Sequence, residues 1–206
     1  MKLTVGILCG GKSTRFGSEK GLALIGNIPM IKRIYSQVCD LSDDIIVLIK
    51  NNKLYEKYAS ILNNKVRILL DIKKDICSPV IGAYSCFKYA KYKYTLLLAC
   101  DLPKIKVKVL KFLIENIKNY DAVIPRHPNG YIEPLHGIYH NKKSIEMIEI
   151  VFKERKNVRM MDFISKLKNV NYISTEEIRE LDANLDIFYN VNTINDLKEM
   201  NKVNKQ

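Results

Sequence analysis

Leu3-Thr4-Val5-Gly6-Ile7-Leu8-Cys9-Gly10-Gly11-Lys12-Ser13-Thr14-Arg15-Phe16-Gly17-Ser18-Glu19-Lys20 decides how the rest of the chain is read. Its first seven residues form a short apolar run, the pattern of a strand buried on both faces. Gly10, Gly11 and Gly17 follow within eight residues. They let the backbone turn sharply and aim successive amide N–H groups at an anion. Arg15 and Lys20 add permanent positive charge and Ser13 a hydroxyl donor, the combination a triphosphate requires. An ordinary glycine-rich turn competes with this reading, but glycines joined by Ser, Arg and Lys after a first strand favour a phosphate cradle.

The same stretch contains a Walker A look-alike. Gly6-Ile7-Leu8-Cys9-Gly10-Gly11-Lys12-Ser13 satisfies GxxxxGK[ST], and Leu96 to Asp101 resembles an apolar strand ending in a magnesium-binding aspartate. A P-loop NTPase is therefore the runner-up. Context argues against it, because Ile7-Leu8-Cys9 continues the apolar strand where the loop should lie. A helix begun at Lys12-Ser13 would also meet Gly17 in its first turns.

Outward from this loop, short β-rich runs at 3–9, 45–50, 66–70, 94–100 and 121–125 alternate with stretches of helical period. Helices are expected after Pro29, with Ile31, Ile34, Tyr35 and Val38 as the buried stripe, and over roughly 53–62, 80–92 and 106–118, the last with Val109, Leu110, Leu113 and Ile117 inward. This rhythm predicts an α/β fold: a three-layer Rossmann-like sandwich with a mostly parallel central sheet and helices on both faces. Pro128-Asn129-Gly130 breaks the rhythm with a turn, and Ile132 to Tyr139 reads as an antiparallel strand. One domain spans 1–206, and the tail from about 201 is too polar to dock firmly.

Composition narrows the function classes. The net charge of +12 comes from lysines spread along the chain rather than a stripe, which points to a solvated basic surface and not to nucleic acid. The five cysteines form no CxxC pair and sit mostly among apolar neighbours, so reduced thiols fit best. No apolar run approaches a membrane span or a signal segment, so a cytoplasmic, membrane-free protein is expected.

Asp101 follows the buried run Leu96-Leu97-Leu98-Ala99-Cys100 and is stopped by Pro103, at the strand end where open α/β sheets bind ligands. A carboxylate there suits Mg²⁺, which needs only one or two protein oxygens beside phosphates and waters, whereas alone it reads equally as an N-cap for a helix near Ile105. Asp71, at the analogous end of Val66 to Leu70, is a candidate to contact base, ribose or metal, or a surface-loop aspartate. Gly82, in Ser78-Pro79-Val80-Ile81-Gly82, would let a planar base approach the backbone if it is more than helix punctuation. Asn190-Val191-Asn192-Thr193 runs from a short apolar strand into a helix near Ile194, with its asparagines as substrate readers or caps. His127, His136 and His140 share no metal-ligand spacing with the cysteines and receive no role.

In this order the pieces resemble the molybdenum cofactor guanylyltransferase family of the Rossmann-like nucleotidyltransferase superfamily. The resemblance rests on Leu8, Cys9, Gly10, Gly11, Ser13, Arg15, Phe16, Gly17, Glu19 and Lys20 in the loop, on Cys100-Asp101-Leu102-Pro103, on Glu133-Pro134-Leu135 and on Asn190-Val191-Asn192-Thr193. It implies transfer of GMP from GTP to molybdopterin bearing molybdenum, with pyrophosphate released and Mg²⁺ as cofactor. It implies nucleotide binding by Leu8, Cys9, Gly10, Gly11, Ser13, Arg15, Gly17, Lys20, Asp71, Gly82 and Asp101, metal binding by Asp101, catalysis by Arg15, Lys20 and Asp101, and acceptor binding by Asn190 and Asn192. It leaves room for transient contacts with other cofactor-biosynthesis proteins or apo-molybdoenzymes. Departures bear on the base: Cys9 stands for a common Ala, Leu48 for a frequent Asn, and Ser78-Pro79-Val80-Ile81-Gly82 for a more usual Gly-Pro-Leu-Ala-Gly. Gly10-Gly11 favours guanine over the cytosine of a related branch. A CTP-using relative, another phosphorylated acceptor and a non-catalytic nucleotide-binding module remain the alternatives.

Overall fold

The computed structural model describes residues 1–10, 16, 19–72, 78–155 and 157–203. Nine strands are present among them: β1 (Thr4–Cys9), β2 (Leu24–Ile25), β3 (Ile28–Pro29), β4 (Ile45–Ile49), β5 (Val66–Leu70), β6 (Tyr94–Ala99), β7 (Ala122–Arg126), β8 (Ile138–His140) and β9 (Val170–Ser174). The helices are α1 (Met30–Val38), α2 (Tyr55–Ala59), α3 (Pro79–Tyr89), α4 (Val107–Glu115), α5 (Asn141–Glu154), α6 (Met160–Ile164), α7 (Thr175–Arg179) and α8 (Ile194–Val203).

Seven strands make one sheet in the order β5-β4-β1-β6-β8-β7-β9, and β2-β3 form a separate hairpin. β8 alone runs antiparallel to its neighbours β6 and β7; the other pairings are parallel. The central strands are apolar on both faces because helices cover both. Val5, Ile7, Val47, Leu96 and Leu98 face α1, α2, α4 and α7 in one core layer. Ile46, Leu48, Leu97, Ile124 and Tyr139 face α3, α5 and α6 in the other. Gly6 is buried in mid-β1 between Ile46 and Leu97. A Cβ there would lie 2.5 Å from the Cys86 sulfur, so this glycine admits α3 against the sheet and opens no loop. That placement removes the P-loop reading.

Several expected boundaries move. Over 132–139 only Ile138 to Tyr139 belong to the strand, because Pro134–His136 wind into a 3-10 turn whose proline cannot donate to a ladder. The residues before Asn190 form no strand: Asp186–Phe188 are a 3-10 turn after Leu185 at φ 53°. Over the described residues 201–203, α8 continues to Val203 and Asn201 accepts from the Gly26 N–H at 2.5 Å, while Met200 is buried with Ile25 and Met30. Among the described residues, no helix is long and apolar enough to cross a membrane.

Candidate functional site

From β1 the chain passes to β4 and β5 on one side of the sheet, and from β6 to β7 and β9 on the other. A crevice opens where the winding direction switches, outside the carboxyl ends of β1 and β6. Here it is a cavity of ≈ 350 Å³, a volume typical of small-molecule sites. Leu8, Cys9 and Gly10 line it from the end of β1, and Ala99, Cys100 and Asp101 from the end of β6. Leu48, Asp71, Ser78, Pro79 and Gly82 at the start of α3, Leu135 and Lys20 complete the lining.

Lys20 is the hub. Its Nζ lies 2.9 Å from Asp101 Oδ2 and 2.8 Å from Asn192 Oδ1. The ammonium and carboxylate are both over four-fifths buried, at 18% and 17% side-chain exposure. The Val191 N–H donates to the Asp101 carbonyl at 3.0 Å, which ties the late asparagine segment to the end of β6. Asp101 caps no helix, because α4 starts at Val107 with Lys106 as its N-cap residue. Its Oδ1 is buried and has no hydrogen-bond partner among the described residues.

Asp71 mirrors Asp101 across β1. Its Oδ1 is likewise buried and unpartnered among the described residues, and burial pushes its carboxyl up to about 6, the Ser85 hydroxyl opposing. A Cβ on Gly10 would come within 3.1 Å of Asp71 Oδ2, so glycine permits the loop to begin beside this carboxylate. Gly82 is tight as well: a Cβ would lie 3.2 Å from both Leu8 methyls. Ser78 caps α3 by accepting from the Val80 N–H at 3.3 Å. The Cys9 thiol and burial together hold the Cys100 thiol well above its ordinary range, so the floor offers no thiolate nucleophile.

The structure therefore gathers Leu8, Cys9, Gly10, Lys20, Asp71, Gly82 and Asp101 around one cavity and joins Asn192 to it through Lys20. Gly11, Ser13, Arg15 and Gly17 lie outside the described residues. Asn190 is exposed and turns its amide to the Phe188 carbonyl at 3.2 Å, away from Lys20. Ser78, Pro79 and Leu135 also line the cavity, in the two segments that the resemblance singles out, Ser78 to Gly82 and Glu133 to Leu135. A proline-bounded turn at each of the two positions was the available signal.

Two half-buried carboxylates, each with one buried oxygen unpartnered among the described residues, suit a hard divalent cation completed by phosphate oxygens and water. Among the described residues no group of three His, Cys, Asp or Glu side chains could hold a metal by itself, so the cation would arrive with the nucleotide. The histidines stay outside this set. Burial lowers His136 to about 4, and its Nε2 faces the Ile187 carbonyl at 2.8 Å, so it is a neutral core residue.

Residues 5–170 match the family described as MobA-like NTP transferase domain. A Carboxydothermus hydrogenoformans protein named "Probable molybdenum cofactor guanylyltransferase" is 32% identical, covering 98% of this chain and 96% of its own. A Pelotomaculum thermopropionicum protein of the same name is 31% identical, covering 93% and 88%. Among solved structures, molybdopterin-guanine dinucleotide biosynthesis protein A from Archaeoglobus fulgidus superposes with a TM-score of 0.81 over 98% of both chains at 24% identity, a likeness of fold. With four-fifths of its length matched to the family and its cavity at the sheet's switch point, the chain belongs to the MobA-like NTP transferases.

Proposed function

We propose that the protein transfers GMP from GTP to the terminal phosphate of molybdenum-bearing molybdopterin, releasing pyrophosphate. The observation that carries this reading is Lys20, whose ammonium bridges the candidate metal carboxylate Asp101 and the candidate acceptor residue Asn192. GTP enters on the side of Leu8, Gly10, Asp71 and Gly82, with its phosphates on the loop that begins at Gly10. Lys20 then exchanges Asp101 for phosphate oxygens, because a triphosphate carries more charge than one carboxylate. That single exchange frees Asp101 and Asn192 together.

Mg²⁺, held by Asp101 and with Asp71 in reach, would neutralise phosphate charge and polarise the α-phosphoryl group. Lys20, with Arg15 from the loop, stabilises the charge that develops on the transferring group and on leaving pyrophosphate. Asn192, released from Lys20, orients the incoming phosphate. No proton-transferring base is required, since the attacking phosphate is already an anion. Among the described residues, the Cys100 thiol, held up by Cys9 and by burial, offers no thiolate to compete with the acceptor phosphate.

The test is an assay with purified protein, Mg²⁺, molybdopterin and GTP or CTP. Release of pyrophosphate with GTP, several-fold above that with CTP, is expected, and the Asp101→Ala variant should release none. Equal or greater turnover with CTP would overturn the guanine assignment, because Leu48 and the Ser78-Pro79 turn are the lining residues that would meet the base.

A further inference from the structure

Two residues before Leu135 of the cavity lining, Glu133 belongs to a group of side chains that the phosphate and metal chemistry leaves idle. After β7 the chain makes a tight hairpin: the His127 N–H donates to the Tyr131 carbonyl at 2.8 Å, Gly130 sits at φ +87°, and the Glu133 N–H returns to the Pro125 carbonyl at 2.9 Å. The turn sets His127 against Glu133, with Nε2 and Oε1 3.0 Å apart and the carboxylate only 13% exposed. Burial raises the Glu133 pKa and His127 counters it. The other carboxylate oxygen makes no hydrogen bond among the described residues.

Two aromatic rings frame this pair. Tyr131, 61% exposed, lies 5.8 Å from the His127 ring, and Phe188 lies 5.6 Å from it. Phe188 leads directly into the segment 190–192, whose Val191 N–H is bonded to Asp101 and whose Asn192 is bonded to Lys20. Because β8 is antiparallel, its incoming segment from Tyr131 to Gly137 lies at the same sheet edge as Asp101. The hairpin is thus the outer continuation of the transfer site, on the side away from Asp71.

We propose that Glu133, held by His127 and flanked by the exposed ring of Tyr131, is the specificity-determining carboxylate for the acceptor's fused 2-amino-4-oxopyrimidine ring. The inference rests on the transfer reaction proposed above. Such a ring presents adjacent N–H and exocyclic NH₂ donors along one edge, which a carboxylate accepts in pairwise fashion while each oxygen keeps a further lone pair for His127. Its flat face stacks on a tyrosine at low entropic cost. Guanine carries the same edge, but the nucleotide side of the cavity lies across β1, where Asp71 stands. A cross-turn brace that merely stiffens the hairpin would need the His127–Glu133 pair but no ring selectivity.

The full chain, as wild type and as Glu133→Gln, would be titrated by fluorescence with neopterin and with the corresponding 2-oxo lumazine, and with GTP and Mg²⁺ separately. Wild type is expected to prefer neopterin at least tenfold. Glu133→Gln, which turns an acceptor oxygen into a donor, should abolish that preference and raise the KM for molybdopterin about tenfold, with GTP affinity and melting temperature unchanged. Wild type binding neither ring, equal preference in both proteins, or a loss confined to GTP would each overturn the proposal. If wild type binds neopterin selectively through Glu133 but never turns over molybdopterin, the transfer reaction fails and the ring subsite stands. If turnover proceeds and Glu133→Gln leaves the molybdopterin KM unmoved, only the subsite fails.

Discussion

The two halves of the sheet on either side of β1 and β6 build their parts of the site in different ways. In the half that carries β4 and β5, parallel strands end in register, and each hands over a residue at its carboxyl edge: Gly10 after β1, Asp71 after β5. In the half that carries β8, β7 and β9, one strand is reversed and the end is filled by turns, with Glu133 and Leu135 on the segment entering β8, His127 just after β7 and Asn192 on the late segment before α8. On the proposed reading, the parallel half is the phosphate and base side, and its parts sit at predictable strand ends. The mixed half is an assembled surface held by pairwise contacts, the side proposed for the second substrate.

The sharpest way to break this division is at the hub between the halves. Lys20→Met should lower kcat by about 10²–10³-fold, the cost of removing one preorganised charge at a developing anion. It should also strengthen Mn²⁺ binding to the nucleotide-free protein, measured by electron paramagnetic resonance, because Asp101 loses its internal cation. Unchanged Mn²⁺ affinity would show that the Lys20–Asp101 pair does not compete with metal.

A large stability effect is expected on the mixed side, from His136. Above pH 6.5 the imidazole is neutral in both folded and unfolded chains. On acidification the unfolded chain takes up the proton near 6.5 but the folded chain only near 4, so stability falls across that window by up to about 3 kcal/mol. Asp71, raised to about 6, acts with the opposite sign, since its burial costs stability as pH rises from 3.8 towards 6. Denaturant midpoints of wild type and His136→Gln between pH 7 and 4.5 separate the two. The difference should shrink with acid, and a constant difference would contradict a buried neutral imidazole.

On the parallel side, Gly6→Ala should cost about 1–3 kcal/mol, the range for overpacking a filled core. The added methyl meets the Cys86 sulfur at 2.5 Å, so Cys86→Ala in the same chain should recover most of the loss. Additive losses in a double-mutant cycle would place the clash elsewhere. The smallest effect is expected at the late asparagines. Asn192→Ala should raise the acceptor KM severalfold, while Asn190→Ala, whose amide is bonded locally to Phe188, should change it less than twofold.

The same division governs what the sequence discloses. The five parallel strands of the prediction lie within a residue of their observed bounds, because continuous apolar runs between turn signals have few other solutions. β9 escaped, since Val170-Asn171-Tyr172-Ile173-Ser174 is a half-polar edge strand with no such run. Asp101 and Lys20 were legible as chemistry, but their mutual contact joins residues 81 apart and needs the fold. His127 and Glu133 were illegible as a pair for the same reason at shorter range. The Pro128-Asn129-Gly130 turn between them was read as punctuation, although a turn of that kind folds its flanks into cross-strand partners.

The most direct measurement follows two labels in one reaction with Mg²⁺ and molybdopterin, using GTP carrying ³²P at the α or at the γ position. Transfer through this site predicts the α label in a pterin dinucleotide and the γ label in pyrophosphate. Recovery of the γ label as orthophosphate, with no α label on the pterin, would contradict it.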